Sequence, residues 1–340
     1  MKILILSHYF HPSIGGIELV SKILSHAFVD AGHSVHVLTW SPDSNATPFP
    51  FKVIRNPNAL TLIKEHAWAD VVFENNIAIR LSWPRMFFNK PTLIALHTWL
   101  TTINGETSIQ WKIKKLWLKS AKKVVACSEI IRDSCWPDGQ VIRNPYQDNI
   151  FKITNNNQRS RDFVFLGRLV SDKGADLAIE ALHILKQEVP DKIISLTIIG
   201  DGPELENLKK LTETYKLTTQ VTFKGAMQGI ALANCLNTHK SMVVPSRWLE
   251  PFGIVALEGM ACGCIPIVSD GGGLPFAVGK GGLTFKRNDA EDLASKMHEL
   301  LDNSSLVAKL KMEIPSHLEI HNSKNISAQY LSAIVDIKNA

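Results

Sequence analysis

Short β-rich blocks alternate with helical stretches along the whole chain, and few folds accommodate that alternation. Strands separated by helices in this way build parallel sheets from βαβ units. In the first half the blocks are Ile3–Ser7, Ser34–Thr39, Val71–Phe73, Thr92–Leu96 and Val124–Cys127, with helical periodicity over Ile17–Ala31 and Ile109–Ala121. The polar run Thr154-Asn155-Asn156-Asn157-Gln158-Arg159-Ser160 has nothing to bury and reads as a linker. A second series follows it: Phe163–Leu166, Ile193–Ile199, Gln220–Phe223, Ser241–Val244, Ile265–Val268 and Leu283–Phe285. Its helices are expected over Ala175–Gln187, Pro203–Tyr215, Gly253–Ala261 and Ala290–Leu301. The expectation is an α/β chain of two Rossmann-like doubly wound parallel-sheet domains, 1–153 and 161–324, whose strand ends face a central cleft. A helix within 325–340 is expected to pack back on the first domain.

At 340 residues and 45% hydrophobic content the chain can bury two cores. Its apolar residues never run on for about 18 positions, so no membrane-spanning helix is expected. The start, Met1-Lys2-Ile3-Leu4-Ile5-Leu6-Ser7-His8, reads as a buried strand and not as a signal peptide. Five cysteines without paired spacing suit a reducing compartment, so a cytoplasmic location is expected. Cys262-Gly263-Cys264 has no His or Cys near it and reads as tight packing. Charge is uneven: residues 1–155 carry 17 Lys/Arg against 11 Asp/Glu, and the rest carries 20 against 21. The first half is therefore the better match for an anionic surface.

Two clusters carry chemistry. One is Pro245-Ser246-Arg247-Trp248-Leu249-Glu250-Pro251-Phe252-Gly253-Ile254-Val255-Ala256-Leu257-Glu258. Pro251 keeps the helix from starting before about Phe252, which leaves Glu250 in the loop and Glu258 on the helix. The first N–H groups of that helix, from Phe252, Gly253 and Ile254, form a ready anion site. Carboxylates on either side suit a nucleotide sugar, one accepting from sugar hydroxyls and the other from the ribose diol. Glu258 lies among apolar residues, where a buried carboxylate needs partners.

The other cluster is Gly167-Arg168-Leu169-Val170-Ser171-Asp172-Lys173-Gly174, with two cations at a strand end. A fixed cation about 4 Å from a departing diphosphate is worth up to ~4 kcal/mol at an effective dielectric near 20. Gly200-Asp201-Gly202-Pro203 is a strand-to-helix turn, and Asp270-Gly271-Gly272-Gly273-Leu274-Pro275 has bare backbone able to admit phosphate or sugar. At Ser13-Ile14-Gly15-Gly16-Ile17-Glu18 a plain tight turn and a helix start facing the cleft both fit. No Gly-x-Gly-x-x-Gly follows a strand, which argues against a nicotinamide-dependent dehydrogenase. No Asp-x-Asp sits at a strand end, so neither a metal nor a cofactor is expected.

These motifs, in this order and covering nearly the whole length, resemble glycosyltransferase family 4, the large retaining GT-B group. The matches are the Gly15-Gly16 turn, Gly167-Arg168 with Gly174, Ile199-Gly200-Asp201-Gly202-Pro203, and the Glu250/Glu258 pair. The resemblance implies that Arg168 and Lys173 hold a donor diphosphate, Glu250 meets the transferred sugar and Glu258 the ribose. It implies that the amides of Gly15, Gly16, Phe252, Gly253 and Ile254, with the Gly167 and Gly202 turns, line the donor, and that His97 lies near the reacting sugar. It further implies a metal-independent hexosyltransferase that retains anomeric configuration. The donor would be a UDP-sugar, or alternatively a GDP-sugar; the acceptor would be a glycan or glycolipid in cell-surface polysaccharide or lipopolysaccharide synthesis. A sugar-nucleotide epimerase, a phosphorylase and a non-catalytic nucleotide-sugar-binding module are the alternatives; no nucleic acid is expected as a partner. The chain departs from the family pattern at Arg143-Asn144-Pro145, at Phe276 where Glu is usual, and at Glu74-Asn75-Asn76.

The stretch 109–123 is basic and aromatic. Ile113, Leu116, Trp117 and Ser120 share one helical face, and lysines hold most of the other. One reading packs the apolar face inward. The other brings Trp111, Lys114, Lys115, Trp117 and Lys119 to the inner face of an anionic membrane.

Overall fold

The computed structural model describes residues 1–100, 109–154 and 159–339. The chain forms two compact units, Met1–Pro145 with His321–Ala340, and Tyr146–Ile320. The passage between them falls at Pro145–Tyr146, ahead of the polar run. Tyr146 and Phe151 are already buried. Of the expected linker, residues 155–158 lie outside the described residues. Its flanks are tied into the second unit, Thr154 N donating to Asn237 Oδ1 (3.0 Å) and the Arg159 guanidinium to the carbonyls of His239 (2.7 Å) and Cys262 (2.6 Å).

Among its described residues the first unit holds seven strands: β1 (Lys2–Ser7), β2 (Ser34–Thr39), β3 (Lys52–Arg55), β4 (Val71–Asn75), β5 (Thr92–Leu96), β6 (Lys123–Ala126) and β7 (Gln140–Val141). All pair in parallel, in the order β3-β2-β1-β4-β5-β6-β7. Ile3 through Leu6 are fully buried, as a strand covered on both faces must be. The last helix, Ser323–Asn339, packs on the helix Gly16–Asp30 and on β4 and β5, burying Ile326, Tyr330, Ile334 and Ile337. The Tyr330 ring lies 5.5 Å from that of Phe73.

The second unit holds β8 (Arg161–Leu166), β9 (Leu196–Ile199), β10 (Val221–Phe223), β11 (His239–Val244), β12 (Ile265–Ser269) and β13 (Leu283–Phe285), parallel in the order β10-β9-β8-β11-β12-β13. Strand order reverses between β1 and β4 in one sheet and between β8 and β11 in the other. At such a reversal the flanking crossovers run in opposite directions, and the strand ends open a crevice between them.

The helix Ile109–Lys119 corrects one sequence expectation. Trp117 and Leu118 are buried, whereas Ile113 and Leu116, expected on the same inward face as Trp117, are exposed. The cause is a buried acid. Glu74, at 0% exposure, accepts from Trp117 Nε1 (3.0 and 3.1 Å), Ser82 Oγ (2.8 Å) and Ala78 N (3.1 Å), and pairs with Arg85 Nε (3.3 Å). Arg85 in turn stacks 4.1 Å from the Trp117 ring. This network turns Trp117 inward and rolls its neighbours out, so Trp117 is unable to serve as a membrane contact.

Candidate functional site

Both chemistry-bearing clusters flank the reversal of the second sheet. β8 ends at Leu166, and Gly167 N donates to Ile199 O (3.0 Å). Arg168 follows, exposed, with no ion pair or hydrogen bond to its guanidinium among the described residues. Leu169 is fully buried and anchors the loop: its N–H donates to Asp201 O (2.9 Å) and its carbonyl accepts from Glu204 N (3.0 Å). Gly202 belongs to this anchoring, because a Cβ there would stand 2.9 Å from Leu169 N.

The loop closes through a 3₁₀ turn, Ser171–Lys173, into Gly174 at φ +72°, where the helix Ala175–Glu188 begins. A Cβ on Gly174 would run into the Pro245 carbonyl. Gly174→Ala therefore combines left-handed strain with a backbone collision, and is expected to cost at least ~2 kcal/mol. Melting temperature and turnover should fall together, because Lys173 is displaced with the loop; an unchanged melting temperature would contradict that packing.

The other loop leaves β11 at Val244. Asp172 O accepts from Arg247 N (2.8 Å) and Trp248 N (3.2 Å), and Ser246 Oγ lies 3.1 Å from it. The two clusters are thus joined through one carbonyl. Lys173 Nζ forms an ion pair with Glu250 Oε1, which also lies 3.1 Å from Ser246 Oγ. The Trp248 ring sits beneath the ammonium, its centroid 5.2 Å away. Arg247 reaches Asp176 through two bonds of 2.6 and 2.8 Å and fixes the loop to the helix that follows Lys173.

The backbone of Glu250 meets the glycine turn after β12. Glu250 O accepts from Gly273 N (2.6 Å), and a Cβ on Gly273 would stand 2.8 Å from Phe252 Cα. On this side Gly273 is spent on close packing under the Glu250 loop, where the sequence left it open to phosphate.

Phe252 is buried and Gly253, at φ +119°, caps the helix Ile254–Ala261. A side chain at Gly253 would strike Leu274 Cδ2 at 2.5 Å. The N–H groups of Gly253 and Ile254 meet no acceptor among the described residues. On the same helix Glu258 is only 8% exposed, and no donor among the described residues reaches its carboxylate. Burial alone pushes its pKa up to about 8. The ends of β8 and β11 therefore carry two cations, with Arg168, the first amides of the helix Ile254–Ala261 and the buried Glu258 carboxylate meeting no partner among the described residues.

The first unit, taken by itself, holds the remaining sequence-predicted residues. His97 follows β5 and is buried, with Nδ1 3.0 Å from Asn144 Oδ1. Nδ1 thus carries the proton, and Nε2 is left as a buried acceptor without a partner among the described residues. Burial lowers the pKa to about 4, so the ring is neutral. Asn144 also receives His321 Nδ1 on its carbonyl (3.2 Å), so the Arg143-Asn144-Pro145 stretch serves to orient His97. Gly15 and Gly16 are exposed at the start of the helix Gly16–Asp30, and the Glu18 carboxylate folds back against Gly15. Glu74 and Asn75 are turned inward; Asn75 Nδ2 donates to Ile17 O (2.8 Å) and Ser21 Oγ (2.5 Å). Of the residues that matter here, sequence reasoning gave no role to Ser246, Trp248 or Asn144. Ser246 and Trp248 carry a signal in lying within four positions of Glu250, and Asn144 carries none.

Two all-parallel α/β sheets with these groups at a strand reversal define a GT-B fold. Residues 146–316, half of the chain, match the family model for glycosyl transferases group 1, and the chain belongs to that family. Among its relatives is the glycogen synthase of Mycobacterium tuberculosis, 25% identical over 361 residues, spanning 89% of this chain and 86% of that protein. A D-inositol 3-phosphate glycosyltransferase of Corynebacterium jeikeium is 32% identical over 166 residues, 47% of this chain and 39% of that one. In structure the chain is similar to Anabaena Alr3699/HepE, solved in complex with UDP and glucose. The TM-score is 0.81 at 18% identity, over 99% of this chain and 100% of that chain.

Proposed function

We propose that this glycosyltransferase is a retaining, family 4 type enzyme that moves a hexose from a UDP-sugar to a hydroxyl of a glycan or glycolipid without a metal ion. The observation that carries this reading is the Glu258 carboxylate, without a partner among the described residues, on the helix whose first amides likewise meet none, with Arg168 and Lys173 on the loop joined to it through Asp172 O and Glu250. A nucleoside diphosphate sugar offers each of them what it lacks. The ribose hydroxyls donate to Glu258, while the diphosphate accepts from Gly253 N, Ile254 N and Arg168. Lys173 neutralises the charge that grows on the leaving phosphate. Glu250 accepts from hydroxyls of the transferred sugar. Attack comes from the face the phosphate leaves, and a phosphate oxygen takes the acceptor proton. The transfer is placed on the cytoplasmic side, in cell-surface glycan synthesis.

Thermal melting against UDP, GDP and ADP tests the donor reading. A ligand that binds only the folded chain at about a hundred times its Kd adds roughly 2.7 kcal/mol of stability, and UDP should give the largest rise. A flat response to all three nucleotides would overturn the proposal. With the donor known, proton NMR of the first-formed product reads the anomeric configuration, and inversion would refute retention. Epimerisation of the donor without an acceptor would move the enzyme to a different reaction.

A further inference from the structure

The roll of the helix Ile109–Lys119 leaves an apolar ridge in water. Ile109 (77% exposed), Ile113 and Leu116 (67%) fall within about one sixth of a turn of one another, given 3.6 residues per turn. Lys112, Lys115 and Lys119 form the adjoining exposed strip on one side; Trp117 is buried on the other flank of the ridge, one i+4 step from Ile113, and Leu118 is buried opposite it. The short helix Arg85–Phe88 is bound to this one, Arg85 donating to Trp117 O (3.1 Å) and Ser120 Oγ (2.8 Å). It adds two more exposed apolar side chains, Met86 and Phe87. Exposed apolar side chains gathered in this way on a folded chain mark a contact surface.

The charge decides the occupant. Residues 109–123 contain six lysines and no acid. A second copy docked by the same face would set lysine against lysine, since a two-fold contact repeats one patch on both partners. We infer that this surface seats the protein peripherally on an anionic lipid bilayer, with Ile109, Ile113, Leu116, Met86 and Phe87 entering the headgroup boundary and the lysines meeting acidic headgroups. No helix of the described residues is long and apolar enough to cross a membrane. The inference stands apart from donor chemistry, because the residues lie outside the groups assigned to the sugar nucleotide.

Co-sedimentation of the full chain with vesicles tests it. Vesicles of equal parts phosphatidylcholine and phosphatidylglycerol should bring the protein down at low salt and release it at high salt, and pure phosphatidylcholine should not. Replacing Lys112, Lys115 and Lys119 by Gln removes about 1 kcal/mol each and should weaken partitioning ~10²-fold. Ile113→Asp with Leu116→Asp should weaken it at least ~10-fold. All are surface changes, so the melting temperature and its rise with UDP should match the parent chain. Three results would overturn the inference: no sedimentation of the parent chain, equal sedimentation with both vesicle types, or variants that bind like the parent. Self-association without lipid that the Asp pair abolishes would assign the surface to a second copy instead.

Discussion

Lys173→Ala lowers turnover by roughly 10²–10³ while the fold survives. The side chain is 18% exposed, paired with the Glu250 carboxylate and poised over Trp248, so its charge is already placed before any ligand arrives. Such preorganised charge stabilises a leaving diphosphate, because nothing needs to reorient as the bond breaks. The loss should fall chiefly on kcat, since the cation gains most when negative charge is greatest. Glu250 keeps Ser246 Oγ within 3.1 Å after the change, so its carboxylate is not stranded and the melting temperature should drop only a few degrees. Lys173→Arg tests position against charge: the longer, forked cation restores the charge but not the point contact, and should recover only part of the rate. Parent-like kcat in Lys173→Ala would remove the leaving-group role.

Glu258→Gln makes the folded chain more stable at neutral and higher pH, and weakens nucleotide binding. The unfolded chain ionises Glu258 near 4.5, whereas burial holds the proton on the folded chain until about 8. Between those values the folded state binds more protons than the unfolded one, so unfolding free energy falls as pH rises. The full span is worth roughly 5 kcal/mol, present below the lower value and lost by the upper. Glutamine has no such proton. Denaturant unfolding of the two chains at pH steps should therefore show the parent losing ground steadily to the variant up to pH about 8. Ribose hydroxyls donating to the carboxylate favour its ionised form, so nucleotide binding near neutrality should expel a proton from the parent that the variant never holds. Calorimetry in buffers of different ionisation enthalpy counts that proton, and phosphate protonation cancels between the two chains. Equal proton release would detach Glu258 from the ribose.

The sheets were readable wherever strands are buried on both faces, as Ile3–Ser7 and Thr92–Leu96 are, because parallel strands then become unbroken apolar blocks. The edge strand Lys52–Arg55 escaped notice: it is four residues long, with a charge at each end. The helix Ser304–Ile320 was hidden by Pro315 in its interior. In the site, the residue types and strand-end positions of Arg168, Lys173, Glu250 and Glu258 were visible, since loop and helix starts follow from Pro and Gly placement. What stayed invisible was contact at long range. The Lys173–Glu250 pair joins residues 77 apart, and His97 meets an asparagine 47 residues on. Trp117 misled in the same way, because helical periodicity records which residues share a face without saying that a distant buried acid will turn that face inward.

The second unit interrupts the first. Met1–Pro145 is completed only by the helix Ser323–Asn339, whose Tyr330 and Ile334 plug the core beside β4 and β5. During synthesis the ribosome therefore delivers an unfinished first sheet, then the whole of Tyr146–Ile320, and only afterwards the segment that seals what came first. Domains generally fold as units in the order they emerge, but here the earlier one stays open until Ser323–Asn339 is translated, and the inserted unit can mature ahead of it.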